Sequence, residues 1–455
     1  MRGTARTQVI IIGAGAAGLL AALELRKAGL DCLVLEQGQR SSWASPHCIE
    51  IDTSSIQGGV VPAPGRECIV HRGGCGAVLL SPAGARFEVA DLPVNLVRHD
   101  LYLHQLLAEA VRAGAEVRFE SRVVSLERAE GEDRRISVGL ESTAGAPALS
   151  CDLLVLATGN STGLDRQLYA HTGLSRKVPA ESFVTALHEL WSVQVPVGAS
   201  DVFPAAPGRV AYRVAHHGPF SVEATWVSPS RDLASCLAGT IPGDGNPTPS
   251  EVLSGMRERF SGPVEVLSSA GARIPIRRPL DVLAAHGVAL IGNAACQVFP
   301  ATGCGVALAG RAAGLLAEHG ASYCRDSRRQ VLLWRYGRDY QRQWGAVQAA
   351  SDVFVRGLRR LALRGWSVAD LLMEAGASNG SDFLRSLELK SPVPPAMEWV
   401  RRTGAMVRLG PRVGPLSAIM AQALAVQGLY RFGYPEQSDP AAMKRFVARV
   451  GRLMG

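Results

Sequence analysis

Apolar and polar positions along this chain change rhythm several times, and the changes mark out its parts. Val9 to Ile12 is an unbroken apolar run of strand length, and Leu19 to Lys27 continues at helical spacing. Leu33 to Leu35 is a second short strand. Residues 41–95 are rich in Gly, Pro and Ser and read as loops with strand-like pieces such as Ala77 to Leu80. From Leu101 to Ala113 the spacing is helical, and Gly114 closes the helix. Glu116 to Leu126 alternates as one strand. Ile136 to Leu140 and Cys151 to Ala157 read as the arms of a hairpin around a Ser/Gly/Pro loop, the second arm running into Thr158-Gly159. Arg209 to Ala215 and Phe220 to Trp226 alternate around His216-His217-Gly218-Pro219, a hairpin with its turn. Gly287 to Ala317 returns to strand, glycine loop and helix. Beyond about residue 327 amphipathic helices dominate, broken at Pro394-Pro395 and Gly410-Pro411. The expected fold is α/β: one discontinuous domain from 1–165 and 281–325, interrupted by the loops of 41–95, a β-rich domain over 166–280 and a C-terminal helical region over 326–455.

Glycine placement gives the first domain a chemistry. Gly13, Gly15 and Gly18 sit where the first strand turns into the first helix, and Glu36 ends the second strand. Gly13 permits the tight turn, Gly15 lets backbone approach a pyrophosphate, and Gly18 lets helix and strand pack closely. The helix N-terminus offers unpaired N–H groups to the phosphates. Glu36, with Gln37 beside it, is expected to meet a ribose diol. The arrangement predicts a Rossmann-like dinucleotide site. A secretory leader is the rival reading, since Arg2 and Arg6 precede apolar residues 9–23. Glu24, Arg26 and Lys27 belong to the same helix, however, and no small-residue cleavage site follows. The run is also too short to span a membrane, so the expected setting is cytoplasmic.

Composition changes this picture little. The net charge is +8, but the chain has only four lysines, so its basicity is carried by arginine. No basic cluster is interleaved with aromatics, and nucleic acid is not expected as a partner. The nine cysteines form no C-x-x-C pair and no zinc spacing, which fits reduced thiols and no metal.

The third segment is the sharpest. A buried strand ends in Gly292-Asn293-Ala294-Ala295, and Pro300-Ala301-Thr302-Gly303-Cys304-Gly305 leads into a helix from Val306. A helix N-terminus opening at Gly305 can stabilise negative charge on a reduced ring. With these residues the chain resembles the FAD-dependent oxidoreductases that include geranylgeranyl reductases and aromatic hydroxylases. The resemblance covers residues 8–160 and 270–320. It implies FAD as the cofactor, its ADP half on the first turn and its ribityl chain and flavin on Gly292, Asn293, Pro300, Gly303 and Gly305. Counting back from Gly114-Ala115-Glu116-Val117 puts His99 where the family has an Arg, with Arg98 next to it, and the contact is left between them. Val123 falls where the family meets adenine through its backbone. Two departures stand out. The family's Asp after the strand glycine is Asn293, and the hydroxylases' Asp-Gly is Thr158-Gly159.

Pro46-His47-Cys48 favours a reductase, because geranylgeranyl reductases place a Pro and a Cys near this distance from the first site, although Ile49-Glu50 follows here instead of Gly. Cys48 is the catalytic candidate, with a buried small side chain as its alternative. The family's Tyr-x-Trp-x-Phe-Pro signature survives only as Ala224-Thr225-Trp226. Cys296 and Cys304 read as packing or as a redox pair, His216 and His217 as turn residues or as acids. The basic stretch from Phe354 to Arg364 reads as a packed face or as a peripheral membrane contact. The resemblance implies flavin hydride transfer at a carbon–carbon bond of a hydrophobic, isoprenoid or natural-product-like small molecule. No second nucleotide fingerprint is evident, so NAD(P)H would act as a transient donor. A flavin hydroxylase is the alternative. A non-redox cyclase resembling lycopene cyclases through Pro300 to Gly303 is a third reading, without that group's Phe-x-Glu-Glu-Thr motif. Oligomeric state and the role of the C-terminal helices, cap or dimer contact, stay open.

Overall fold

The computed structural model describes residues 5–72, 75–128, 135–141, 149–160, 178–195, 208–218, 221–241, 243, 245–260, 262–326, 330–370 and 413–454. In chain order its elements begin β1 (Ala5–Ile12), α1 (Ala16–Lys27), β2 (Cys32–Leu35), β3 (Cys48–Asp52), α2 (Thr53–Gln57), β4 (Ile69–His71), β5 (Cys75–Leu80), β6 (Arg86–Leu92) and β7 (Val94–Arg98). Next come α3 (His99–Arg112), β8 (Glu116–Arg118), β9 (Val123–Arg128), β10 (Ile136–Leu140) and β11 (Leu149–Leu156). A run of strands follows: β12 (Phe183–Ser192), β13 (Val210–Val214), β14 (Ser221–Val227) and β15 (Leu233–Thr240), then α4 (Pro249–Arg257) and β16 (Glu265–Pro275). The chain returns through β17 (Ala284–Ala285) and β18 (Val288–Leu290) to α5 (Val306–Arg325), α6 (Gln330–Tyr340), α7 (Ala346–Leu363), α8 (Val413–Gly433) and α9 (Pro440–Met454).

The first sheet runs β17-β18-β11-β1-β2-β8, with β10 and β9 added antiparallel beside β11. β18, β11, β1, β2 and β8 are parallel, and Val9, Ile10 and Ile11 are fully buried. Continuous apolar strands are what a parallel sheet covered on its faces requires. α1 packs on both α3 and α5. Glu116 to Leu126 is not one strand. Glu120 adopts φ +51°, and Ser121 donates its N–H to the Glu36 carbonyl at 2.8 Å. The chain therefore turns between β8, which pairs with β2, and β9, which pairs with β10.

The second sheet runs β16-β12-β15-β14-β13-β5-β6. It takes β5 and β6 from the stretch expected as loops, β5 lying parallel to β13. β3, β7 and β4 from the same stretch form a small third sheet. α4 covers one face of the second sheet, packing on Trp191, Cys236 and Ala238. A capping box at Thr248 and Glu251 starts that helix. Strand alternation turns Val184, Ala186, His188 and Leu190 to the opposite face. The expected hairpin turn lies between β13 and β14 at His216 to Gly218, while Pro219 falls outside the described residues.

The C-terminal helices dock on the segment leading into the third glycine loop. Asp352, fully buried, accepts from the Arg278 N–H at 2.9 Å and from Arg356 Nε at 2.6 Å. Arg278 also pairs with Asp281 and reaches the Tyr430 hydroxyl at 2.7 Å. Within the basic stretch, Leu358 and Leu361 are buried against Leu416 and Ile419 of α8. Residues 394–395 and 410–411, where breaks were expected, lie outside the described residues. Among the described residues no helix is long and apolar enough to cross a membrane.

Candidate functional site

Each glycine of the first turn answers a different demand. Gly13 has φ +104°, and a Cβ there would sit 2.6 Å from the Ala157 carbonyl oxygen. A Cβ on Gly18 would overlap the Gly13 carbonyl oxygen. Packing of strand, turn and helix forces both. Around Gly15 no protein atom lies within 4 Å of a Cβ position. Its smallness serves a space the protein leaves open. Gly15 caps α1 without a side-chain hydrogen bond, and the first turn carries no acid. The helix therefore presents unsatisfied N–H groups to that space.

Glu36 is more committed than expected. Its carboxylate accepts from the Ala14 N–H at 2.8 Å and from the Gly38 N–H at 2.8 Å. It staples the turn, and each oxygen keeps lone pairs that could accept from a ribose diol. Trp43 reinforces the same turn by donating Nε1–H to the Ala14 carbonyl at 3.1 Å. Gln37 is exposed beside Glu36. Val123 is buried two residues beyond Ser121 and pairs with Leu140.

The third segment touches the first. Gly292 has φ +68°, and a Cβ on it would come within 2.5 Å of the Ala17 Cβ in α1. Gln297, fully buried, accepts from the Gly292 N–H at 2.7 Å and donates to the Tyr336 hydroxyl at 3.1 Å. Gln348 of α7 donates to the carbonyls of Cys296 and Val298 at 3.2 and 2.6 Å. Gln341, in a π-helical turn between α6 and α7, donates to the Leu280 carbonyl at 2.6 Å. Pro300 is buried, and Gly303 (φ +72°) donates its N–H to the Phe299 carbonyl. Gly305 caps α5, again with no side-chain bond and no acid in the first turn. Asn293 stands near that terminus, its Oδ1 3.7 Å from where a Gly305 Cβ would be.

Between the two turns lie polar atoms without a protein partner. Thr158 Oγ1 is buried and unpartnered, with Gly159 (φ +67°) opening onto free space. Arg98 is bound bidentately to Asp100, at 2.9 and 2.7 Å. His99 is half-buried with its Nδ1 buried and unpartnered, and desolvation together with His47 holds its imidazole down to about 3. Of the pair, the free ring nitrogen belongs to His99. Two uncapped helix N-termini, an open glycine cradle and these orphaned atoms fit an extended, phosphate-bearing dinucleotide. FAD would lie with its pyrophosphate at α1 and its ribityl and ring system at Asn293 and the α5 terminus.

Cys48 opens β3 at 8% exposure, and burial pushes its thiol up to about 11. It packs in an apolar cluster with Leu79, Leu96 and Trp226. Cys296 is buried, Cys304 is half-buried, and both are free thiols. His217 is bound to the buried Glu223, and His216 Nε2 lies 3.2 Å from the Leu80 carbonyl. Both histidines anchor the turn.

Sequence reasoning missed the residues around His47. His188 projects from β12 with Nε2 2.9 Å from Ser235 Oγ and Nδ1 unpartnered. The His47 ring centre is 4.3 Å from that of His99 and 5.9 Å from that of His188. Ser268 Oγ donates to the Pro46 carbonyl at 2.7 Å, tying the second sheet to this loop. Further along the same face, Val184, Ala186, Leu237 and Ile274 pack with Ala301 of the third loop. A histidine at an inward position of an apolar alternating strand was the available signal for His188.

Comparison with known proteins agrees with this geometry. A family model described as FAD binding domain matches residues 8–47, and one described as FAD dependent oxidoreductase matches residues 94–319. Digeranylgeranylglycerophospholipid reductase 1 of Methanopyrus kandleri is 28% identical over 403 residues, covering 84% of this chain and 94% of its own. Kynurenine 3-monooxygenase of Salinispora arenicola is 26% identical over 340 residues, covering 66% and 69%. A geranylgeranyl bacteriochlorophyll reductase-like structure from Thermoplasma acidophilum aligns with a TM-score of 0.70 at 16% identity, covering 86% of this chain and 98% of that one. A probable FAD-dependent monooxygenase from Pseudomonas aeruginosa aligns at 0.58 with 19% identity, covering 80% and 99%. The chain is an FAD-dependent oxidoreductase. Its relatives in sequence and in structure include both digeranylgeranylglycerophospholipid reductases and monooxygenases.

Proposed function

We propose that this enzyme reduces a carbon–carbon double bond in a hydrophobic, polyprenyl-like molecule, or runs the same step in reverse. Bound FAD supplies the two-electron redox chemistry. The observation that carries the reading is the apolar inner face of the second sheet. Val184, Ala186, Leu237 and Ile274 meet Ala301 of the third loop, and His188 and Ser235 lie further along the same face. Such a wall desolvates a hydrocarbon chain and orients it without hydrogen bonds. The α5 N-terminus favours negative charge on whatever ring lies against it. NAD(P)H, or a protein donor, would recharge the flavin from solution. The M. kandleri relative is named for a digeranylgeranylglycerophospholipid, which supports a polyprenyl probe.

The test is anaerobic. FAD-loaded enzyme is mixed with NADH or NADPH and a digeranylgeranyl ether phospholipid in detergent micelles, and the lipid is analysed by mass spectrometry. Two hydrogens gained per double bond are the expected result. An unchanged lipid, with oxygen uptake stimulated by an aromatic substrate in air, would move the enzyme to the hydroxylases.

A further inference from the structure

We propose that the end of α7, with the start of α8 beside it, docks this enzyme on an anionic lipid bilayer, and that the substrate chain enters there and runs along α7 to the third glycine loop. The route rests on the polyprenyl reading above. The docking rests on the surface itself.

α7 divides into three faces. Leu358 and Leu361 pack with Leu416 and Ile419 of α8. Val355 turns into the apolar wall, in one cluster with Val184 and Ala186. Arg356, Arg360 and Arg364 recur every four residues and are exposed, which places them on one stripe. Leu363 falls on that stripe and is 53% exposed. Trp366 is half-buried just beyond the helix end, a residue type that settles at the headgroup level of bilayers. Four arginines and no acid lie between Val353 and Ala369. α8 runs antiparallel to α7: Ile419 lies against Gly357, while Ala423 and Val426 share a buried cluster with Ala346 and Ala349. The start of α8 therefore flanks the end of α7. That helix carries no charge from Val413 to Tyr430, and it exposes Gly414 and Ala418.

Charge and apolarity together choose the occupant. Arginines beside an uncharged face with an exposed leucine suit anionic headgroups over an acyl boundary. An acidic protein would match the arginines and leave Leu363 and the neutral face of α8 without a partner. The rest of α7 supplies the route. Gln348 holds the third loop through the Cys296 and Val298 carbonyls, Val355 meets the wall, and Leu363 ends the helix. A rise of 1.5 Å per residue separates these three by about 10 and about 12 Å. A chain entering beside Leu363 thus meets the apolar wall before it meets the loop.

Flotation of the FAD-loaded enzyme with vesicles tests the surface. Phosphatidylglycerol vesicles should carry the protein, phosphatidylcholine vesicles should not, and about 0.5 M salt should release it. Leu363→Gln combined with Arg364→Gln should weaken retention about 5- to 30-fold, with flavin content and unfolding midpoint unchanged. Lys444→Gln combined with Arg449→Gln, on the exposed basic face of α9, should weaken it far less. Retention lost in the α9 variant and kept in the α7 variant would overturn the proposal, as would equal retention on both kinds of vesicle or on neither. Single turnover reads the route. With the polyprenyl lipid in phosphatidylglycerol vesicles, reoxidation of the reduced enzyme should slow in the α7 variant, and in detergent micelles it should match wild type. Equal slowing in both, or in neither, would overturn the route. A reduced enzyme that no alkene reoxidises would instead fail the functional reading, while flotation still decides the surface.

Discussion

The two glycine turns end in the same device and are held in different ways. α1 and α5 each begin at a glycine with no side-chain cap and no acid in the first turn. The first turn is self-supporting, fixed by Glu36 across two N–H groups and by Trp43 on the Ala14 carbonyl. The second is held from outside, with Tyr336, Gln341 and Gln348 of the C-terminal helices bonded to the segment from Leu280 to Val298. The helical region therefore supports the third glycine loop, whatever else it does.

Gly18→Val should break the self-supporting turn outright, because its side chain would overlap the Gly13 carbonyl. Soluble yield and circular dichroism read this, and a well-folded variant would contradict the packing described. Gly15→Val, by contrast, meets only open space. Gln348→Leu should cost about 1–3 kcal/mol by stranding two buried carbonyls. It should weaken FAD binding while leaving the first turn intact. An unchanged unfolding midpoint would show that the outside support is dispensable.

Acid separates both turns from the region between them. Neither turn carries a histidine, whereas burial holds His99 and His188 down to about 3 from an ordinary 6.5. The unfolded chain then binds protons that the folded chain refuses. Their contribution is complete above about pH 6.5 and is lost as pH falls towards 3, by at most ~1.4 kcal/mol per pH unit for each histidine. Thermal unfolding followed from pH 7 to pH 5 should show this slope, and His188→Gln should flatten it. An equal slope in the variant would place the acid sensitivity elsewhere. The smallest effect is expected from Asn293→Asp, which restores the family's charge beside the α5 terminus. The helix dipole favours a carboxylate there by about 0.3–1 kcal/mol, so the fold should hold while the flavin becomes harder to reduce. A flavin that becomes easier to reduce would contradict its place there.

The first turn was legible in the sequence because its determinants are local: strand, three glycines, helix and acid within thirty residues. The third loop was legible as a motif, but its support was not. Gln297, Gln341 and Gln348 are polar residues in or beside helices, which pattern alone assigns to solvent, and their partners lie about forty to sixty residues away. The break at Glu120 was signalled only by the polar run Glu120-Ser121-Arg122 between Phe119 and Val123, which is too short to stand out from an alternating strand. β5 and β6 were hidden because β5 pairs with β13 across some 130 residues, a register that no local spacing encodes. His188 was missed because only the sheet sets it against Ser235 and beside His47.

Gly15→Val tests the central claim, that the first turn is shaped around FAD and not only around itself. Flavin content per chain and the unfolding midpoint of the cofactor-free protein would be measured side by side with wild type. The account predicts a variant that folds, its apo midpoint lowered only by the loss of a favourable N-cap residue, and that purifies colourless and takes up no FAD. A Gly15→Val protein that purifies yellow with full flavin content would contradict it.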